Sequence, residues 1–171
     1  TNTTKEDSLK CLKSPKANEK KIRNVSISMF NSSSHYRRLI YYYALMPTWS
    51  YTLSPLGFNG PPKNPEAFSK AYYKAASAVA AMNLKHEMQK VLITGLREGI
   101  FYGAIWSTNT SFSIQSINPD YCMLSSIEDG TWMYAVDMSK IKETELVNYP
   151  PAFSTMWNTY QSTDKKWQEV P

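Results

Sequence analysis

At 171 residues and 42% hydrophobic content the chain can bury a core, which excludes a protein that is disordered throughout. Its formal net charge of +5 is compatible with an acidic partner such as nucleic acid but does not require one. Two cysteines, Cys11 and Cys122, can build neither a disulfide framework nor a four-cysteine zinc site, and no apolar run approaches the ~20 residues of a membrane span.

A soluble, intracellular product is therefore expected, one whose true start has been removed, because the first residue is threonine and no charged-then-apolar signal opens the chain. The sequons at Asn2, Asn24, Asn31 and Asn109 then have no glycosylation role. Residues 1–23 carry seven Lys or Arg against three acids and almost no large apolar side chains. Such a segment cannot offset the entropy lost on ordering, so a disordered basic tail is predicted there, with the folded region spanning 24–171.

Next comes "NSSSHYRRLIYYYALMP", in which a serine at 32, 33 or 34 can cap a helix that continues to Met46 and stops at Pro47. Tyr36, Leu39, Ile40 and Tyr43 fall at the spacing of a buried face, leaving Arg37, Arg38, Tyr41 and Tyr42 for other surfaces. Residues 47–65 contain five prolines and two glycines, which predicts an irregular connection, ordered by burial of Trp49, Tyr51, Leu53 and Phe58.

A second helix has Asn64 as cap, Pro65 at its first position and Glu66 in its first turn. Phe68, Ala71, Tyr72, Ala75, Val79 and Met82 keep a helical period, which predicts one long helix, bent near Asn83 and stopping at Gly99. Beyond it the period becomes two. The runs "IFYGAIW", "SFSIQSI", "YCMLSSI" and "TWMYAVDM" read as strands of a small antiparallel meander, with Asp129-Gly130 as a hairpin turn and Gly103 as a strand glycine for a bulge or close approach. A last helix opens at Pro151 with Phe153, Met156, Trp157 and Tyr160 on one face. The predicted fold class is α+β, with long helices and a small antiparallel β-meander.

Catalytic chemistry has little to stand on. His35 and His86 lie on separate helices without metal-ligand spacing, no Walker-type phosphate loop occurs, and the glycines of "GLREGIFYG" are wrongly spaced for a dinucleotide fingerprint. Asp120, Glu128, Asp129 and Asp137 leave a carboxylate hydrolase as one reading, although turn chemistry accounts for Asp120 after Pro119 and Asp129 before Gly130. No enzyme activity, cofactor or metal is expected. A nucleic-acid-binding module is the alternative, with the basic tail, His35, Arg37, Arg38, Lys85, Lys90 and Arg97 facing phosphates and the tyrosines stacking on bases.

Four blocks, "SSHYRRLIYYYALMPTWSYTLSP", "MNLKHEMQKVLITGLREGIFYGAIW", "SIQSINPDYCMLSSIEDGTWMYAVDMSKI" and "NYPPAFSTMWNTYQ…KWQEVP", resemble successive segments of portal proteins from tailed bacteriophages of Gram-positive hosts. The resemblance covers roughly residues 30–171 and is carried most by "LREGIFYG" followed by "NPDYC…DGTWMYAVDMS". It implies a portal-like wing region, with the stem, clip and crown expected after residue 171. It further implies a structural head-tail connector subunit in a ring, usually of twelve copies, at the capsid vertex of the virion, assembled in the host cytoplasm. Through that ring viral DNA is packaged and ejected, and its partners would be identical subunits, viral DNA, the terminase motor, the capsid protein and the head-tail adaptor, with no membrane. Arg37, Arg38, Tyr41, Tyr42, Lys85 and Arg97 are the candidate subunit or DNA contacts.

Overall fold

The computed structural model describes residues 4–48, 50–55, 64–108 and 112–170. Along them run α1 (Lys5–Lys13), α2 (Glu19–Ser32), α3 (Ser34–Leu45), α4 (Pro65–Ala81), α5 (Leu84–Glu98), β1 (Tyr102–Ser107), β2 (Phe112–Ile117), β3 (Cys122–Glu128), β4 (Thr131–Asp137), α6 (Pro151–Thr163) and β5 (Trp167–Glu169), joined by short 3-10 turns. The fold class is α+β, with helices leading and antiparallel sheets following.

Composition predicts a disordered tail over 1–23, but residues 5–13 are helical and 19–23 open the helix that runs to 32. Local chemistry starts the first of these helices: Thr4 Oγ1 accepts from the Asp7 N–H at 3.2 Å and the Asp7 carboxylate accepts from the Thr4 N–H at 3.3 Å, a reciprocal cap. Long-range contact holds the second, because α2 packs on α3 and α5 and buries Arg23 and Phe30. By contrast α1 buries nothing, so it is the part of the expected tail that depends most on its caps.

In α3, Ser33 Oγ accepts from the Tyr36 N–H at 3.3 Å, which places the cap where the serine run suggests. The buried face is rotated from the predicted one. Ile40 and Ala44 are buried and Tyr36 is half-buried, but Leu39 and Tyr43 are exposed. The rotation follows from Tyr41, whose ring settles 5.8 Å from Phe30 on α2 and so turns the Leu39 and Tyr43 side of the helix outward. Of the connection beyond, Trp49 and Phe58 lie outside the described residues, Leu53 is half-buried and Tyr51 is exposed rather than buried.

Asn64 Oδ1 accepts from the Ala67 N–H at 3.1 Å, with Pro65 at the first helical position and Glu66 in the first turn. The predicted single helix is two helices, broken where Asn83 adopts φ 47°, ψ 46°. Left-handed backbone interrupts the ladder, and Asn is the non-glycine residue that tolerates it best. No residue of α4 is buried, and Ala71, Tyr72 and Ala75 of its apolar period are exposed. That stripe therefore has no core to face among the described residues.

All four predicted strands form, yet they make two sheets instead of one meander: β1–β2, and β3–β4–β5, in which the short β5 adds a strand unforeseen in the sequence. Asp129 and Gly130 take φ 48° and 77°, the doubly left-handed pair that matches hairpin twist. The sheets join through Tyr134, whose hydroxyl donates to the Gly103 carbonyl at 2.8 Å. Between them and α6 lies the core, formed by Tyr102, Ala104, Ile117, Val136, Met138, Ile141, Phe153 and Met156. Gly103 makes a close approach: a β-carbon there would lie 2.3 Å from Phe101 Cε1 and 3.0 Å from Ile114 Cγ2.

Candidate subunit interface

The first group of candidate residues surrounds Phe30, which ends α2 against α3 and α5. Arg37 Nε donates to the Phe30 carbonyl at 3.0 Å and its Nη2 to the Asn31 carbonyl at 2.5 Å, so this cation sits on the partly negative C-terminal end of α2. Its guanidinium carbon is 5.8 Å from the Phe30 ring centroid, and that of Arg97 is 5.5 Å away. Phe30 thus meets two cations and the Tyr41 ring. Arg97 also pairs with Glu98, its carbonyl accepts from Ser26 Oγ at 2.5 Å, and Ser26 Oγ shares a hydrogen bond with Tyr36 Oη at 2.8 Å. The Arg97 Nε is buried with no partner among the described residues.

Arg37, Tyr41 and Arg97 are consequently occupied in joining three helices, whereas the other three candidates are open. Arg38 and Lys85 are exposed, and their side chains make no hydrogen bond or ion pair among the described residues. Tyr42 is 64% exposed and meets Tyr43 edge-on at 5.6 Å. With Leu39 and Met46 these two tyrosines form an exposed stripe at one-four-five-eight spacing, and His35 and Arg38 lie at its amino-terminal end.

A second exposed apolar face lies on the β3–β4 hairpin. Cys122 pairs with Val136, Leu124 with Tyr134 and Ile127 with Trp132, so these six share one face. At the Val136 end it is core; at the other end Ile127 and Trp132 are 57% and 63% exposed. Trp132 and the exposed Ile105 flank a groove of about 290 Å³ floored by Gly103, Tyr134 and Phe153. Asp129 sits in the hairpin turn at the end of this face, whereas Glu128, paired with Thr131, belongs to the opposite face.

Two of the carboxylates considered for hydrolysis, Asp120 and Asp137, have structural work. Asp120 accepts from Arg23 at 2.6 Å and from Lys20 at 2.5 Å, which ties α2 to the turn before β3. Burial alone would raise its pKa, but the hydrogen bonds and charges of Lys20 and Arg23 outweigh this and hold it below the ordinary carboxylate value. Asp137 is buried and caps a turn, accepting from the Ser139 N–H at 3.1 Å and its hydroxyl at 2.6 Å. Glu87 is the buried carboxylate that the sequence pattern hides: it accepts from the Ile114 N–H at 2.6 Å and from Lys90 at 2.7 Å, pinning α5 to β2. Burial opposes its charge, yet the Lys90 and Ile114 hydrogen bonds win and its pKa is lowered. The Glu87, Lys90 spacing signals a helix pair, but nothing local points to Ile114.

Among the described residues no group of three or more His, Cys, Asp or Glu is placed to hold a metal ion, and no helix is long and apolar enough to cross a membrane. Burial pushes the Cys122 thiol up to about 12. No protein-family model, curated protein or solved structure shows significant similarity to the chain.

Proposed function

We propose that the chain is a non-enzymatic structural subunit that works by self-assembly, and that its assembly is the portal ring of a tailed bacteriophage. The observation that carries the self-assembly reading is apolar surface without a partner: α4 buries no side chain over 17 residues, and α3 and the β3–β4 hairpin each expose an aromatic face. Exposed contiguous apolar patches mark interaction sites, and tyrosine, tryptophan, methionine and arginine are the residues interfaces favour.

The portal part rests on the resemblance of the four sequence blocks. In that role identical subunits, twelve in the usual ring, surround a channel at the capsid vertex of the virion. Viral DNA passes through it during packaging and ejection, the terminase motor, capsid protein and head-tail adaptor dock on it, and assembly takes place in the host cytoplasm. The basic balance of the chain would favour DNA nearby, with an attraction that weakens as salt rises. Negative-stain images of the purified protein test this: rings with a central hole are expected, and a monomer by light scattering at every concentration would overturn it.

A further inference from the structure

We infer that the exposed stripe of α3 docks on the exposed hairpin face of β3–β4 in a second copy of the same chain, a head-to-tail contact between two different surfaces. This rests on the reading of the chain as a self-assembling subunit and names the surfaces that meet.

Charge is the first argument. The α3 stripe of Leu39, Tyr42, Tyr43 and Met46 carries His35 and Arg38 at one end and no acid, for α3 holds no acidic residue. The hairpin face of Leu124, Ile127 and Trp132 is bordered at the turn by Asp129, which makes no ion pair or side-chain hydrogen bond among the described residues. Two α3 stripes facing each other in parallel would set Arg38 against Arg38, and two hairpin tips in parallel would set acid against acid. Stripe against hairpin instead joins apolar to apolar and cation to anion.

Area is the second argument. Leu39, Tyr42, Tyr43 and Met46 on one side and Ile105, Leu124, Ile127 and Trp132 on the other are each about half exposed. At ~100 Å² apiece they offer roughly 800 Å² of apolar surface, and the flanking charged side chains bring the total to about 1,200 Å², the lower bound of a specific interface. Within one chain the two faces are not used on each other: α3 packs on α2 and α5, whereas the hairpin packs on β5. A contact between unlike surfaces leaves each copy with one free face, so it propagates into a ring or a filament.

The test mixes two half-blind variants. Y42S/Y43S removes the stripe and I127S/W132S removes the hairpin face, both at exposed positions. Each alone should remain monomeric in size-exclusion chromatography with light scattering, whereas an equimolar mixture should form a 1:1 dimer and grow no further. Charge reversal gives the second arm: R38E and D129K should each weaken self-association by about tenfold or more, and the two changes together should restore it. Such restoration cannot come from an unfolded chain. If the wild-type chain assembles and all these variants assemble like it, the inference is overturned while the self-assembly reading survives. If mixing yields no heterodimer, the contact is not head-to-tail and the inference is again overturned. A wild-type chain that is monomeric at every concentration overturns both.

Discussion

Arg23 Nη2 donates to Asp120 Oδ1 at 2.6 Å across 97 residues of chain, and this pair ties α2 directly to the turn before β3. The Arg23 side chain is only 8% exposed, so its desolvated charge depends on its two carboxylates, Asp120 and the exposed Glu19. Asp120→Asn removes the one that is itself sheltered. The expected cost is about 1–3 kcal/mol in urea unfolding, with faster amide exchange over residues 19–32 than elsewhere. Lys20→Ala should cost little, because that lysine is mostly exposed and its arm of the pair is screened.

The same pair sets an acid limit. Asp120 has a lowered pKa in the folded chain, so its contribution is complete above the unfolded carboxylate value near 3.8 and is lost as pH falls through the lower folded value. Glu87 acts in the same direction, from an unfolded value near 4.5. Stability measured between pH 7 and pH 5 should be nearly flat on account of these two groups and fall below about pH 4. In Asp120→Asn the fall should be shallower.

Features that act within three or four residues were legible in the sequence: the Ser33 and Asn64 caps, Pro65, the stop at Gly99, the Asp129-Gly130 turn and the Pro151 start are all where local chemistry puts them. The orientation of α3 was not, because Leu39 and Ile40 are equally apolar and only the place of Phe30 decides which turns inward. Order in residues 5–23 was missed for a related reason. Composition counts the lysines of the tail as solvated, whereas Lys20 and Arg23 find Asp120 through a contact no local pattern contains. Of the candidate contacts, Arg37 and Arg97 face the Phe30 ring inside the chain, a pairing that no local spacing contains.

That arrangement makes Phe30 a sensitive position. Phe30→Ala removes a buried ring flanked by two guanidiniums and Tyr41, and about 3–5 kcal/mol of stability should be lost. Phe30→Leu keeps most of the apolar contact but not the ring face, so about 1–2 kcal/mol is expected, separating packing from cation–π attraction. Chemical denaturation of the two variants side by side checks the difference.

At high pH the sheet junction should fail first. The Tyr134 hydroxyl, buried and beside Cys122, has its pKa raised from about 10 to about 12. The folded state therefore holds a proton that the unfolded chain releases, so the stabilisation is complete below pH 10 and is lost between pH 10 and about 12. Burial raises Tyr102 and Tyr149 as well, so absorbance titration should show several tyrosines ionising late; Tyr134→Phe should remove the latest step while costing about 1 kcal/mol for the lost bond to the Gly103 carbonyl.

Gly103 and Phe101 should be energetically coupled. A methyl at position 103 would meet Phe101 Cε1 at 2.3 Å and Cζ at 2.8 Å, with Ile114 Cγ2 at 3.0 Å on the other side, so the ring must swing away from β1. Gly103→Ala is expected to cost about 1–3 kcal/mol despite the general preference of strands for alanine over glycine, since overpacking outweighs the entropy gained. Phe101→Leu should cost less on its own, and in the double variant the Gly103→Ala penalty should largely vanish because the clashing ring atoms are gone. A double-mutant cycle reads the coupling directly. Penalties that simply add would mean that the cost comes from the Ile114 methyl at 3.0 Å rather than from the ring that leans on Gly103.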